Sequence, residues 1–410
     1  MAYFSRLEIN EWQQFRTVDI EFHERLTIIT GANASGKTTL LNVLARHANW
    51  NLPSLATPVR SKVSNSVLGF FTWVLRRARD SQGNQIGTLT YNTRDRAKIL
   101  VPEVSAAAYL LQIEEMSSVP CFFVPSHRSI YRYGLVGRIS TGRLTKQQAF
   151  ERVQESTRSG YIGGGEPASI FHMKDVLISW SIFGRGNVDM VADKELEIFY
   201  DGFQETLRKV LPPTLGFRRF AIRSMEIVLE CESGEFILDG ASGGLNTLID
   251  LAWQIFMYGT GENDGGFTVI IDEVENHLHP TAQRRLLSDL LGAFPKARFV
   301  VSTHSPLIVN SVRESAVYAL RYDDSKRVWS ERLDLVNQAK GATQILNEVL
   351  GVSSTMPLWA ERELDGIVSR FASMPISESS FDLLRSQLAK IGLADYFPQT
   401  LGKILDSKAP

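Results

Sequence analysis

Gly31-Ala32-Asn33-Ala34-Ser35-Gly36-Lys37-Thr38 orders the reading of everything else in the chain. It matches the phosphate-loop pattern G-x-x-x-x-G-K-[ST] at every position. A strand-like run, Leu26-Thr27-Ile28-Ile29-Thr30, leads in, and Leu40, Leu41, Val43 and Leu44 lead out at helical spacing. That strand–loop–helix setting gives the pattern its physical meaning. The glycines let the backbone wrap a phosphate, so the amides of Asn33, Ala34, Ser35 and Gly36 and the helix start face negative charge. Lys37 is expected at the β- and γ-phosphates with Thr39 beside it, and Thr38 is expected to place its hydroxyl on Mg²⁺. The competing reading is a glycine-rich turn before an ordinary helix, and the two correct flanks argue against it. A nucleoside triphosphate is the expected ligand.

Three later segments answer to this loop. Ala241-Ser242-Gly243-Gly244-Leu245 precedes a helical run of Leu248, Ile249, Leu251, Ala252 and Ile255. It reads either as an anion site built from Ser242, Gly243 and Gly244 or as an ordinary helix cap. Phe267-Thr268-Val269-Ile270-Ile271 suits a strand buried on both faces, and Asp272-Glu273 stands at its C-terminal end, where α/β folds bind ligands. Asp272 suits Mg²⁺, and Glu273 suits a general base that polarises water; a plain acidic turn is the alternative. Phe299-Val300-Val301 is again a buried-type strand and runs into Ser302-Thr303-His304-Ser305. A lone histidine is usually structural, but His304, one strand after the acidic pair, is placed to hydrogen-bond the γ-phosphate or the lytic water.

Length and composition bound the rest. A chain of 410 residues has room for two or three structural units. Its net charge of −1 supplies no global field for nucleic acid, so a basic patch must be local: Arg76, Arg77, Arg79 or Arg218, Arg219, Arg223. Solvated helix and strand faces are the preferred explanation for most such clusters. Two cysteines in apolar runs, no leader-like segment and no bilayer-length apolar run lead us to expect a cytoplasmic protein without a membrane partner. Leu7-Glu8-Ile9 and Val18, Ile20, Phe22 alternate as half-buried strands do. Residues 129–172 are rich in Gly, Ser and Arg and read as an exposed insertion; Leu196, Phe199, Phe203, Leu207 and Val210 then share one helical face. Helical patterns occupy 342–405, where Glu361, Glu363 and Asp365 read as a solvated face.

With these motifs in this order, the chain resembles ABC-type ATPases. The Walker A motif is Gly31–Thr38, the signature is Ala241–Leu245, Walker B ends at Asp272-Glu273 and the switch histidine is His304. More narrowly it resembles the OLD/RecF/SMC-like branch, since Asp272-Glu273-Val274-Glu275-Asn276-His277-Leu278-His279-Pro280 is similar to D-E-P-E-x-H-L-H-P and Ser302–Pro306 is similar to S-T-H-S-P. The opening hairpin with Phe15-Arg16 is also similar. The resemblance implies an α/β ABC-type P-loop ATPase head of mixed and parallel sheets flanked by helices. Its lobes would be 1–128 and 215–310, with a helical or flexible insertion at 129–214 and a strand pair and small helical region at 311–410.

The resemblance also implies ATP and Mg²⁺ as ligands, and a head-to-tail homodimer in which the Ser242–Gly244 turn of one subunit closes on ATP held by the other. Val274 replaces the branch's proline, and Leu245 ends the signature where glutamine or a charge is usual. No glutamine follows the strand that ends at Pro125; Ser126-His127-Arg128 stands there and resembles the P-x-x-R of some OLD-like ATPases, which implies that Arg128 meets the γ-phosphate. His277-x-His279 reads as a turn near the dimer interface, ahead of a metal reading. OLD proteins carry a Toprim nuclease domain, and no segment after His304 fits one. The chain is accordingly similar to the ATPase subunits of antiphage systems such as Septu or PARIS, which implies a separately encoded nuclease effector. A RecF-like DNA clamp is the alternative.

Overall fold

The computed structural model describes residues 1–55, 57–60, 67–71, 84–102, 107–128, 133–137, 139, 145–163, 169–259, 265–334, 341–350, 357–372 and 378–406. Arg76, Arg77 and Arg79, and Gly164 and Gly165 of the insertion, lie outside the described residues. The chain divides into two compact units, 1–342 and 343–410.

The larger unit opens with strands β1 (Phe4–Trp12), β2 (Phe15–Glu21) and β3 (Leu26–Gly31) and helix α1 (Lys37–Ala45). Strands β4 (Ser54–Leu55), β5 (Thr57–Arg60), β6 (Val67–Phe71), β7 (Gln85–Tyr91), β8 (Arg96–Leu100), β9 (Ala108–Tyr109), β10 (Gln112–Glu114) and β11 (Cys121–Val124) follow. Helices α2 (Lys146–Gly163), α3 (Ser169–Arg185) and α4 (Lys194–Val210) lead to a small sheet of β12 (Phe217–Arg223), β13 (Glu226–Cys231) and β14 (Gly234–Ile237). Then come α5 (Gly243–Tyr258), β15 (Phe267–Ile271), α6 (Pro280–Ala293), β16 (Ala297–Thr303), α7 (Pro306–Val309), β17 (Ala316–Tyr322) and β18 (Val328–Arg332).

Eleven strands form one sheet in the order β10-β8-β7-β1-β2-β18-β17-β3-β16-β15-β11. From β17 to β11 every pairing is parallel, and from β2 to β10 every pairing is antiparallel. The residue patterns account for the division. Every position of β3 and β15 is buried, as in strands covered on both faces, whereas β2 alternates between core and solvent. Because β3, β16, β15 and β11 point the same way, the segments that follow them emerge on one edge of the sheet. Those segments are the phosphate loop, His304, Asp272-Glu273 and Ser126–Arg128.

Helix α1 is held by Leu40, Leu41, Val43 and Leu44, which join Leu7, Ile9, Phe15, Leu89 and Phe123 in one core. The signature helix α5 is held separately: Trp253 packs against Trp180 of α3 (ring centroids 5.6 Å) and Phe203 of α4 (4.9 Å). Aromatic contacts of this kind add roughly 0.5–1.5 kcal/mol each beyond burial. The helical face expected in α4 is present, and Asp193 caps it by accepting from the Glu195 and Leu196 amides.

Two findings depart from the sequence reading, and a third, on Arg218, Arg219 and Arg223, agrees with the solvated strand face it preferred for them. Residues 146–163, expected as part of an exposed insertion, form α2 and bury Ala149, Phe150 and Val153, with Phe150 against Phe122 (5.2 Å) and Tyr258 (4.9 Å). Three apolar positions at i, i+1 and i+4 suffice to seat a helix whose composition otherwise looks like solvated loop. Arg218, Arg219 and Arg223 belong to β12, and their charge is spent across the small sheet. Arg219 meets Glu230 at 2.6 Å, Arg223 meets Glu235 at 2.5 Å and Glu230 at 3.0 Å, and Arg218 meets Glu232 at 3.6 Å. Finally, the strand pair β17–β18, grouped with the C-terminal region from sequence, is inserted between β2 and β3 of the main sheet.

The smaller unit contains α8 (Ala342–Glu348), α9 (Leu358–Ala372), α10 (Glu378–Lys390) and α11 (Phe397–Asp406). Leu364, Ile367, Phe371, Leu384, Leu388 and Ile404 form its core, which leaves Glu363 and Asp365 exposed on α9. Among the described residues no helix is long and apolar enough to cross a membrane.

Candidate nucleotide site

Gly31 and Gly36 make the phosphate loop possible. Gly36 has φ +96°, and a Cβ there would fall 2.3 Å from Gln14 Nε2 and 2.4 Å from the Phe15 ring. Gly31 has φ +148°, and its Cβ would fall 2.7 Å from the Leu320 carbonyl oxygen. The loop is therefore wedged between the β1–β2 hairpin and β17. Gly36 also caps α1 without a side-chain hydrogen bond, and no acidic residue sits in the first turn. The first amides of α1 thus lack a side-chain acceptor and are available to an anion. Asn33 and Ala34 are exposed at the tip, while the Ser35 hydroxyl is buried without a hydrogen-bond partner, an orphan polar group aimed into the loop.

Lys37 is buried, and its ammonium donates to the carbonyls of Gly31 (3.0 Å) and Ala32 (3.1 Å). Burial pushes its pKa down to about 8, against the pull of Asp272, Glu273 and Glu275. Next along α1, Thr38 donates its hydroxyl to Asp272 Oδ2 at 2.9 Å, across strands that are not neighbours in the sheet. Thr39 is half-buried on the same turn. A hydroxyl and a buried carboxylate brought together beside a lysine are the oxygen donor set that Mg²⁺ requires, so the residues present fit the ion.

Strand β16 lies between β3 and β15 and supplies the residue that completes the acidic end. Ser302 Oγ donates to Asp272 Oδ1 (2.5 Å) and accepts from the Glu273 amide (2.8 Å). Asp272 is only 1% exposed; burial raises its pKa, and the Ser302 and Thr38 hydroxyls oppose that rise. Glu273 has φ +45°, a region a glutamate enters only when its surroundings hold it there. One of its carboxylate oxygens accepts from Asn276 Nδ2 (2.8 Å), and the other lies 3.7 Å from His304 Nε2. The His304 backbone amide donates to Glu275 Oε1 at 2.5 Å, so Glu275 fixes where the histidine begins. The His304 pKa is lowered, first by burial and then by Lys37, with the carboxylates opposing; the ring is held toward its neutral form.

Arg128 reaches the same edge, and its guanidinium donates to the carbonyls of Glu273 (3.1 Å) and Val274 (3.4 Å). Burial lowers its pKa to about 10, while Asp250 of α5 heads the carboxylates that pull it back up. Asp250 is itself buried, pushed up to about 6, and accepts from Gln254 at 2.7 Å. Arg128 therefore braces the Walker B turn and faces the signature helix. The signature itself is placed differently from the other three motifs. Ser242 and Gly243 are exposed at the start of α5, Ser242 accepts from the Leu245 amide, and a Cβ on Gly244 would fall 3.2 Å from the His277 carbonyl oxygen. His279 caps α6 by accepting from the Thr281 amide.

Walker A, Walker B and His304 thus converge as the motif order led us to expect. The sequence reading missed Ser302, Glu275, Asn276 and Asp250 as site residues. For Glu275 the signal was present in the D-E-x-E repeat of acids; for the others no local pattern announces a partner on another strand.

Comparisons with known proteins match parts of the chain. The family model described as "AAA domain, putative AbiEii toxin, Type IV TA system" matches residues 174–310, and one described as "AAA domain" matches residues 6–57. Septu protein PtuA of Bacillus thuringiensis is 26% identical over 165 residues, 37% of this chain and 42% of that protein. Septu protein PtuA of Bacillus mycoides (strain KBAB4) is 29% identical over 124 residues, 29% of this chain and 18% of that protein. The Retron Vc95 probable ATPase of Vibrio cholerae serotype O1 biovar El Tor is 41% identical over 49 residues, 12% of this chain and 10% of that protein. The matches span less than half the length of each of these relatives. Among solved structures, an SMC head bound to the C-winged helix domain of ScpA aligns over 81% of this chain and 98% of its own, with 14% identity and a TM-score of 0.44. The chain is similar to Septu proteins and to a retron ATPase, and to AAA-domain family models over two of its segments.

Proposed function

We propose that this protein binds and hydrolyses ATP with Mg²⁺ and works as a nucleotide-gated dimeric switch that controls a separate effector, a nuclease, in antiphage defence. The observation that carries the reading is the meeting of Thr38 with Asp272 at 2.9 Å, flanked by Lys37 on one side and by Glu273 with His304 on the other. The similarity to Septu proteins and a retron ATPase supports the defence role.

In this reading the amides from Asn33 to Gly36 and the start of α1 hold the phosphates, and Lys37 leaves the Gly31 and Ala32 carbonyls to neutralise them. Thr38 and Asp272 would hold Mg²⁺, which would supply charge neutralisation to the phosphates. Glu273 takes a proton from the attacking water at the carboxylate oxygen that faces His304, and the neutral imidazole fixes that water or the γ-phosphate by a hydrogen bond. Ser242 and Gly243 are exposed and Gly244 follows them half-buried; together they serve the ATP of the partner in a head-to-tail homodimer. Arg128 transmits the arrangement to α5 through Asp250; its direct contact with the γ-phosphate would require it to leave the Walker B carbonyls.

Glu273→Gln tests the whole reading. The variant is expected to bind ATP and stall, with turnover abolished. Purified from its native cells with ATP and Mg²⁺, it is expected to carry a nuclease in fixed ratio, measurable by native mass. A bare homodimer, or one carrying DNA with salt-sensitive affinity, would replace the effector reading with a DNA clamp. Unchanged turnover would remove Glu273 from the mechanism.

A further inference from the structure

The Walker B turn is fastened to the segment after β11 at two points, and one of them is a side chain that reaches the catalytic base. Asn276 Nδ2 donates both to the Ser126 carbonyl oxygen (3.0 Å) and to Glu273 Oε2 (2.8 Å). A backbone carbonyl only accepts, so the amide nitrogen must face Ser126, and its two hydrogens serve the two oxygens. Beside it Arg128 donates to the Glu273 and Val274 carbonyls, and Ser302 accepts from the Glu273 amide. The backbone of Glu273 is thus held from two sides at a left-handed φ, and its carboxylate is aimed by Asn276.

We propose that Asn276 is a positioning residue for ATP hydrolysis: it turns Glu273 so that Oε1 faces the lytic water beside His304, and it makes that aim depend on the segment Pro125–Arg128. The inference rests on the ATPase reading above. The chemistry of the residue type fits the task. A neutral amide donor orients a carboxylate without neutralising it, whereas a lysine there would form an ion pair and weaken the base. A glutamate without such a donor is free to rotate, and misplacement of a base by about 1 Å costs on the order of 100-fold in rate.

The experiment compares wild type, Asn276→Ala, Asn276→Asp, Glu273→Gln and the Asn276→Ala/Glu273→Gln double variant. Readouts are steady-state ATP turnover between pH 5.5 and 9 and equilibrium binding of a fluorescent ATP analogue. Asn276→Ala is expected to lower kcat about 10- to 100-fold, with KM and analogue affinity within about twofold of wild type, because Asn276 does not touch the phosphate loop. Asn276→Asp, nearly isosteric, replaces the donor by an acceptor and sets a like charge against Glu273, and is expected to lower kcat at least as far as Asn276→Ala with KM and analogue affinity kept. In the Glu273→Gln background, which binds without turning over, Asn276→Ala is expected to leave analogue affinity unchanged. A wild-type kcat in Asn276→Ala or in Asn276→Asp, or a loss of analogue affinity in the double variant, overturns the proposal. Should Asn276→Ala fail to fold, the split between kcat and KM in Asn276→Asp decides alone. Absence of turnover in the wild type, with the analogue bound, overturns the ATPase reading and this inference with it.

Discussion

Replacing Ser302 with alanine removes a single oxygen from which two groups of the site hang. Ser302 is fully buried, and alanine fills nearly the same space, so little packing is lost. What disappears is the hydroxyl's bond to Asp272 Oδ1 at 2.5 Å and the bond it accepts from the Glu273 amide at 2.8 Å. A hydrogen bond to a buried charge is worth about 1.5–3 kcal/mol and a neutral one about 1 kcal/mol, so the expected destabilisation is about 3 kcal/mol. The pH dependence makes the prediction sharper. Burial raises the Asp272 pKa above its ordinary 3.8, and the Ser302 hydroxyl is the first group opposing the rise. Without it the folded-state pKa climbs further. Between the unfolded and folded values the native carboxyl holds more protons than the unfolded one, so stability falls as pH rises. The penalty is complete above the folded pKa and fades below the unfolded one. The deficit of Ser302→Ala should therefore be largest near pH 8 and smaller near pH 5. Urea unfolding followed by tryptophan fluorescence suits the test, since Trp12, Trp50, Trp180 and Trp253 are all buried in the larger unit. A deficit below about 0.5 kcal/mol, or one that grows on acidification, would refute the reasoning.

Two further expectations follow from buried cations. Lys37, held down to about 8 by burial, must be protonated to meet phosphate, so ATP affinity should fall as pH rises through that value. At pH 9 it should be about tenfold weaker than at pH 7 by calorimetric titration, and a flat profile over this range would rule out the role given to Lys37. Lys174 is 1% exposed and joins Asp239 (2.5 Å) and Glu226 (2.7 Å) just ahead of the signature. Lys174→Met should cost about 3–5 kcal/mol by leaving buried carboxylate charge unpaired. Adding Asp239→Asn and Glu226→Gln should recover most of that loss in the same unfolding assay, and no recovery would mean that lysine packing, not charge, holds this corner.

The motifs were legible along the chain because each is a local event. A phosphate loop needs its glycines at fixed offsets between a strand and a helix, and the backbone strain at Gly31 and Gly36 is set within a few residues. The all-apolar runs of β3 and β15 announce strands covered on both faces, and acids at the end of one of them announce a ligand edge. The start of α5 was also readable, since Ser242 before two glycines suits a helix cap, and it accepts from the Leu245 amide. The β12 arginines were readable as a solvated face but their partners were not, because a charge cluster in sequence carries no sign of the glutamates that face it across a sheet. Helix α2 was hidden for a related reason: its few buried residues matter only against Phe122 and Tyr258, far away along the chain. Strand order decided the site itself. That β16 lies between β3 and β15 places Ser302 against Asp272, and that β11 lies beyond β15 places Ser126 and Arg128 against the Walker B turn. Residue type and spacing determine which groups can do chemistry. Which groups meet is a matter of sheet register between strands distant in sequence, and only the folded chain specifies it.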